Sequence, residues 1–503
     1  MSDDDVIEDP TYMEHVRHFF TSEDKQCMGA FIDLSTYAGV RDNHVRIYAT
    51  TRNGSMPKGR PAWSTERVQT FRNWIDRGFR RGTVEPALEQ PETPNGGLRV
   101  RKNIVDLSDD EFQTLIRAFR GLLDRDDNDP SSYYQLAGVH WLPKPNMYCR
   151  HHEDAYNPWH RIYLLKFENA LRSVDGCEDV TLPYWDIQSI HFPEQLEQLP
   201  FESFTYPETL RDLINQVRAE KGDSTVRNDP ATILTLVDQY GIDDDIKTAL
   251  GHSWWEGFNG WDATARSSSA IIRAHDSGHV ACGETLADQN VAAFDPLFWF
   301  FHCNWDRLWW LWQQLYGATS LEAFKTHLPD SGDWLTDPLL ADLKPFFHEG
   351  TPDYWKTSEA IDSHALGIGY EHPVVERIPF FSSMMGHMEA HSSMSVPTTS
   401  DVSVRVKGID RLKIPGSFDV SLLVDGNTIA KRGFFQPTTP RECAGCSKKG
   451  IVSLDFVVPD SAIRGELSVA IKLIRDGKSR LVPLASCGNP TINVRLLLKD
   501  ERP

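Results

Sequence analysis

The chain has 503 residues, 40% of them hydrophobic, which is enough for two or three folded domains. Its 72 acidic and 52 basic side chains give a net charge of -20, which repels phosphate backbones and anionic membranes, so neither nucleic acid nor a membrane is expected as a partner. The opening residues, MSDDDVIEDP, lack the basic, apolar and small-residue order of an export signal, so a cytoplasmic location is expected.

Residues 1–95 predict an N-terminal extension that packs on the core, and no residue in it points to a chemistry. A strand pair is expected around Phe31–Thr50. A helix follows, with Ser64 as its N-terminal cap. The proline- and glycine-rich run QPETPNGG ends the region.

Residues 96–375 predict a mainly α-helical domain. One helix begins after the cap Ser108 and repeats apolar residues every three or four positions. Another begins with Pro158 and carries His160 in its first turn. The most apolar run, 294–315, is predicted to be a buried helix rather than a membrane span, because five polar or charged residues interrupt it.

The C-terminal part has a different pattern. Residues 376–400, rich in proline, serine and methionine, predict a linker. Alternating apolar segments within 401–503 predict a small all-β domain of the sandwich type, with Asp425-Gly426 as its clearest hairpin turn.

Six histidines carry the strongest chemical signal, and they fall into two triplets set among aromatic residues: His140, His151 and His160, then His275, His279 and His302. Neutral imidazole binds copper, iron, nickel and zinc alike, but dinuclear hydrolase sites normally add bridging carboxylates. An all-nitrogen set favours a redox metal. We therefore expect two copper ions, with dioxygen as the co-substrate.

The second triplet combines two signals. His275 and His279 are four residues apart, so on a helix both rings emerge on one face and can share one metal ion. The spacing alone is weak evidence, because the linker pair His387 and His391 has it too. His302 follows in a wall of Phe and Trp, where a core histidine hydrogen-bonded to a carbonyl is the alternative.

The string DPLFWFFHCNWDRLW around His302 resembles the second copper-binding segment of tyrosinases, catechol oxidases and molluscan haemocyanins, the type 3 copper proteins. The resemblance implies that the second triplet binds the second copper, although Phe301 stands where the family often has another histidine. The segment CRHHEDAYNPWHR resembles the family's first copper site, which implies that the first triplet binds the first copper. His152 is then left as a surface neighbour.

The resemblance also assigns supporting residues. It implies a thioether bond between Cys149 and the His151 ring, which would fix that ring plane; a small buried thiol is the alternative. It implies a buried pair between Arg161 and Asp306 that braces the two site helices, with surface charges as the alternative.

The fold implied is a mainly α catalytic domain, with a four-helix bundle around a dicopper site, plus the small all-β domain. The implied activity is oxidation of small o-diphenols to o-quinones with dioxygen, with hydroxylation of monophenols left undecided. A haemocyanin-like dioxygen carrier is the alternative, since it uses the same six ligands.

Three residues are candidates for substrate chemistry. Glu256 resembles an acid that holds a water near the second copper; a buried, hydrogen-bonded acid is the alternative. Asp276 could accept a phenolic proton or merely hydrogen-bond a ligand. Phe298, one turn before His302, could stack on a substrate ring or simply pack in the core.

The β domain resembles the C-terminal domain that covers the copper site in latent tyrosinases and haemocyanin units. Such domains insert a side chain over the first copper, and Phe434 and Phe435 in KRGFFQP are the candidates, with an ordinary core strand as the alternative. Cys443 and Cys446 form a CxxC that is either a disulfide or a transient copper-delivery site. A copper chaperone is a further candidate partner.

Overall fold

A computed structural model describes most of the chain. The described residues are 6–12, 15–21, 24–25, 28, 32, 34, 37–58, 60–77, 98–140, 148–208, 211–212, 222–259, 261–262, 267–268, 270–328, 341–371, 401–443, 446–447, 449–475 and 478–496. The predicted linker 376–400, with His387 and His391, lies outside these ranges.

The helices, in chain order, are α1 (Tyr37–Asp42), α2 (His44–Arg52), α3 (Thr65–Asp76), α4 (Asp109–Leu123), α5 (Tyr133–Gly138), α6 (Tyr156–Arg172), α7 (Pro230–Gln239), α8 (Ile242–Gly251), α9 (Trp255–Phe258), α10 (Ala270–Cys282), α11 (Leu297–Tyr316) and α12 (Leu321–Lys325). Short strands accompany them: β1 (Arg99–Arg101), β2 (Trp261–Asp262), β3 (Ser267–Ser268), β4 (Asp342–Phe347), β5 (Tyr354–Lys356) and β6 (Ile368–Tyr370). Among the described helices, none is long and apolar enough to cross a membrane.

The N-terminal region is helical where strands were expected. The strand pair around Phe31–Thr50 is wrong, because α1 and α2 occupy most of that stretch. Ile47 and Thr51 are buried, and their spacing of four residues places them on one face of α2 instead of alternating across a strand. The helix after Ser64 is confirmed, with the Ser64 side chain accepting from the Arg67 amide.

Helices α4, α6, α10 and α11 form the predicted four-helix bundle. The Ser108 cap of α4 is confirmed as a reciprocal capping box with Glu111. The apolar run is confirmed as the buried helix α11, which packs on α6 through the stacked rings of Phe167 and Trp299, 3.5 Å apart. Pro158 is the third residue of α6 and not the first, so His160 lies in the second turn; proline fits anywhere in the first turn, where amides have no partner within the helix.

A buried ion network joins the two helices that each supply one site histidine. Arg161 of α6 donates to Asp306 of α11 at 2.6 Å, which confirms the expected pair. Arg101 of β1 bridges Asp306 and Glu168 at 3.1 and 2.9 Å, and the Tyr370 hydroxyl donates to Asp306 at 2.6 Å. Because these charges are buried and mutually paired, the network fixes α6 against α11.

The C-terminal part is an antiparallel β-sandwich, as predicted. Its strands are β7 (Asp401–Asp410), β8 (Phe418–Val424), β9 (Asn427–Phe434), β10 (Ile451–Pro459), β11 (Leu467–Arg475), β12 (Lys478–Val482) and β13 (Thr491–Leu496). They form sheets ordered β10-β7-β13 and β12-β11-β8-β9. The Asp425-Gly426 turn is confirmed: Val424 pairs with Asn427, and both turn residues have positive φ.

Candidate metal centre

The second histidine triplet converges as its spacing predicts. His275 and His279 lie one turn apart on α10, with ring centroids 4.5 Å from each other, and His302 of α11 completes the group at 5.1 and 5.3 Å from them. The Nε2 atoms of His279 and His302 are 3.2 Å apart. Two imidazole nitrogens that share one ion at about 2.0–2.1 Å each would show such a separation.

The first triplet comes from three separate segments. His140 follows α5, His151 lies in the loop before α6, and His160 projects from α6 itself. Their ring centroids are 5.3, 5.4 and 6.1 Å apart. The nine-residue step from His151 to His160 is therefore accommodated by a loop-to-helix transition, as predicted.

The two triplets adjoin one another. The rings of His160 and His302 stack at 4.5 Å with an interplanar angle of 10°, and those of His151 and His275 lie 5.3 Å apart. The six imidazoles thus surround one shared space, to which both triplets contribute.

Hydrogen bonds at Nδ1 orient four of these rings. His140, His160 and His279 each point Nδ1 at a backbone carbonyl, at 3.1, 2.8 and 2.7 Å, and His275 points Nδ1 at the Asp276 carboxylate at 3.0 Å. Since a carbonyl or carboxylate only accepts, each Nδ1 carries the proton. Each Nε2 therefore presents a lone pair, which is the tautomer that metal ligands need.

The environment suits metal ions. The Nε2 atoms of His160 and His275 are buried without a hydrogen-bond partner among the described residues, a costly state that a bound cation would relieve. Burial lowers the pKa of His140 to about 3, and it holds the pKa of His279 and His302 well below the ordinary value, so the rings are neutral. Neutral, dry nitrogen donors in this number fit two copper ions better than hard cations.

Residues 130–315, which contain all six histidines, match the common central domain of tyrosinase. This central part of the chain is therefore a tyrosinase-type domain. The match confirms the sequence resemblance, and each of the two histidine groups could hold a metal ion.

Individual relatives agree with this assignment. Polyphenol oxidase 4 of Agaricus bisporus is 29% identical over 353 residues, covering 57% of this chain and 57% of that protein, so the chain spans little more than half the length of this relative. A tyrosinase structure from Burkholderia thailandensis has a TM-score of 0.59 at 20% identity and covers 79% of this chain and 100% of its own. A functional unit of octopus haemocyanin has a TM-score of 0.55 at 16% identity, covering 78% and 99%. Both structures show a shared fold.

Cys149 lies against the first histidine triplet. Its Sγ atom is 2.9 Å from Nδ1 and 3.4 Å from Nε2 of His151, and 3.1 Å from Nε2 of His140. The sulfur therefore sits beside the ring carbon that joins the two His151 nitrogens. This is the position that the predicted thioether requires, although the bond itself stays a prediction.

His152 is not the surface group that was expected. It is buried, its ring stacks on Phe434, and its Nε2 lies 2.8 Å from Asp276 Oδ2. Asp276 also contacts the Nδ1 of His275. Burial favours protonation of this carboxyl, but the charge of His152 and the hydrogen bonds from both rings hold the pKa of Asp276 below its ordinary value. Sequence adjacency to His151 gave no signal for this contact across 124 residues.

Phe298 and Glu256 occupy different surroundings. The Phe298 ring lies 4.1 Å from that of His302 and 5.0 Å from that of His140, so it contacts both triplets. Glu256 is partly exposed on α9, whose Trp255 packs on α11. It lies near Asp154: burial raises the pKa of Asp154 to about 7, Lys449 opposes this and Glu256 adds to it. The water-holding role of Glu256 stays a prediction.

Phe434 and Phe435, the two candidates for the side chain that covers the metal centre, lie in different surroundings. Phe435 is fully buried and stacks on His279 at 3.8 Å and 6°, with the His151 ring 5.2 Å away. It therefore contacts a ligand of the second triplet most closely, rather than sitting over the first copper alone. Phe434 points into the sandwich, where it stacks on Phe418 at 5.0 Å.

Two further features complete the site. Cys443 and Cys446 are joined in a disulfide, one of the two predicted states. Tyr156, which sequence reasoning missed, lies 4.8 Å from His160 and 4.9 Å from His275 between ring centroids, and its backbone carbonyl orients His160. Its place four residues before His160 was the signal that could have revealed it.

Proposed function

We propose that the protein is a type 3 copper phenol oxidase that converts small o-diphenols to o-quinones with dioxygen and can hydroxylate monophenols first. One observation carries this: six neutral imidazoles form two adjoining groups around a common space, and an aromatic ring is already stacked on one of them. Hydrogen bonds at Nδ1 turn four of the six rings so that Nε2 presents a lone pair. The first triplet would hold one copper and the second triplet the other. When bound, the copper pair would supply dioxygen binding and two-electron oxidation.

The chain's own residues would then handle the substrate. Asp276 would accept the phenolic proton, because it is a buried, ionised carboxylate beside a ligand of the second copper. Phe298 would line the pocket and help to exclude water. The thioether between Cys149 and His151 would hold one ligand plane fixed.

The β domain would keep the enzyme latent. Phe435 lies parallel to the His279 ring, which is how the ring of a bound phenol would stack on that imidazole. While the Phe435 ring remains there, a substrate ring cannot take the same place. Since Phe435 contacts three of the six ligands, in both triplets, we also propose that a copper chaperone loads the metal before the β domain closes.

A dioxygen carrier remains the second candidate, because the seated Phe435 side chain would suit a protein that binds dioxygen behind a closed cover. Copper-loaded full-length protein and its Phe435→Ala variant distinguish the two. We expect oxygen uptake with catechol, faster in the variant, and slower uptake with tyrosine. A carrier would bind dioxygen, with a near-ultraviolet absorption band, but would not turn over catechol in either form. A copper content well below two per chain would refute both.

A further inference from the structure

His152 connects the β domain to both histidine groups. Its ring stacks on Phe434 of β9, with centroids 4.8 Å apart and planes 17° apart. Its carbonyl accepts a hydrogen bond from Lys449, while its Nε2 donates to Asp276 at 2.8 Å. Its φ of 55° is uncommon for a residue other than glycine, so these contacts hold it in a conformation that local preference disfavours.

Asp276 receives three donors from three parts of the molecule. His152 lies in the loop of the first triplet, His275 belongs to the second triplet, and the third donor is the backbone N–H of Phe435 in the β domain, at 3.2 Å. Two of these, His152 and the Phe435 amide, share one oxygen, Oδ2. The docked β domain therefore donates a hydrogen bond to the Asp276 carboxylate as well as covering the site.

We propose that His152 is a positioning residue: it holds Asp276 so that Oδ2 accepts from the Phe435 amide when the β domain is seated, and from the substrate hydroxyl when it is not. The β domain would thus control the site by occupying a hydrogen-bond acceptor as well as by inserting a ring. Only the part of this proposal that concerns the substrate hydroxyl rests on the proposed phenol oxidase function. The contact between His152, Asp276 and the Phe435 amide concerns the closed form.

Two substitutions at His152 separate its hydrogen bond to Asp276 from its ring stack on Phe434. In His152→Gln the side-chain amide can still donate to Asp276 from about the position of Nε2, but the ring stack is lost. In His152→Phe the stack on Phe434 is kept and the donor is lost. The same two changes at the exposed His191 serve as matched controls.

The hydrogen-exchange rate of the Phe435 amide, measured in metal-free and copper(I)-loaded full-length protein, directly reports whether its hydrogen bond to Asp276 is formed in the closed form. We expect His152→Phe to speed exchange of this amide about tenfold or more, the loss expected for a hydrogen bond to a charged group, with β8 and β11 amides unchanged. His152→Gln should stay close to the wild type. Unchanged exchange in His152→Phe, or equally fast exchange in both variants, would overturn the proposal.

If His152→Phe does not fold, the unmodified chain still supplies a test. The proton on His152 Nε2, observed in protein labelled with ¹⁵N-histidine, should exchange slowly because it is buried and donated to Asp276. Rapid exchange with solvent would contradict the proposed contact.

Measurements of turnover separately test whether Asp276 accepts from the substrate hydroxyl. With Phe435→Ala as the parent, His152→Phe should lower kcat for catechol about tenfold with little change in KM, and His152→Gln should restore most of it. Copper content is measured in each sample. A parent that holds two coppers and does not oxidise catechol would refute the proposed function, while the exchange result for Phe435 would stand or fall by itself.

Discussion

Replacing Phe435 with alanine should release the blocking ring without unfolding the β domain. The ring is fully buried and stacks on His279 at 3.8 Å. Burial of a phenyl group contributes about 1.5–3 kcal/mol, and a well-aligned ring pair adds about 0.5–1.5 kcal/mol. We therefore expect the docked state to lose about 2–4.5 kcal/mol, which shifts the equilibrium for undocking by about 30-fold to 2000-fold.

The assay is oxygen uptake by copper-loaded, full-length protein with catechol, in parallel with unfolding measured by circular dichroism. Polar contacts of the same strand should keep the β domain in place, among them the Gly433 amide, which donates to the Ser277 hydroxyl at 3.0 Å. Turnover should rise even where docking persists, because truncation vacates the space beside His279. The β domain should stay folded, and the unfolding midpoint should fall less than in Phe434→Ala.

Phe434→Ala is the comparison variant, since it makes the same change one residue earlier and leaves the Phe435 ring in place, while removing the ring that stacks on His152. The Phe434 ring belongs to the sandwich core, so its loss should destabilise the β domain by about 3–5 kcal/mol. Unchanged turnover in Phe435→Ala, with two coppers bound, would refute the blocking role. Equal activation by both variants would show that general loosening of the β domain is the cause.

Four further outcomes are expected. Asp306→Asn should lower the free energy of unfolding of the metal-free protein by about 3–5 kcal/mol in a denaturant titration, because it leaves Arg161 without a buried counter-charge, whereas Arg101 keeps Glu168. Gly433→Ala should raise catechol turnover in the full-length chain, because the added Cβ would lie 2.8 Å from the Ser277 backbone and push β9 off α10; no activation would mean that the strand is not seated there. Asp154→Asn should stabilise the protein by on the order of 1 kcal/mol at pH 8, and thermal melts should show this gain fading towards pH 5. The pKa of Asp154 is raised from 3.8 to about 7, so the wild type loses stability as this carboxyl ionises, and partial exposure limits the size of the gain. Chelation of copper should lower the melting temperature, since ions at about 100 times their Kd add about 2.7 kcal/mol to the native state; an unchanged melting temperature would mean that the folded chain does not bind them.

Local patterns predicted the parts of the site that local geometry determines. The four-residue step from His275 to His279 needs only a helix to bring both rings to one face, and the caps at Ser64 and Ser108 identify their helices from adjacent residues. The buried pair of Arg161 and Asp306 came from family resemblance, since no spacing rule connects residues 145 positions apart.

Contacts that depend on domain placement could not be predicted. Phe434 and Phe435 are neighbours at the end of β9, and side chains alternate in direction along an extended chain, so one enters the sandwich and the other enters the metal centre. The sequence does not tell which sheet face meets the helices. His152 was placed at the surface for the same reason: its partners, Asp276 and Phe434, are brought to it only by the bundle and the docked β domain.

The charges at the interface favour a cover that can leave, and so an oxidase over a carrier. Arg432 of β9 pairs with the buried Asp245 at 3.2 Å, a contact that would be costly to break if it left the carboxylate alone. Asp245 also pairs with Arg273 of α10 at 3.1 Å, and that partner stays behind when the β domain moves away. Arg432 itself would be solvated. Undocking therefore leaves Asp245 with a buried counter-charge, and the Phe435 ring beside His279 is a contact that a competing aromatic substrate could replace.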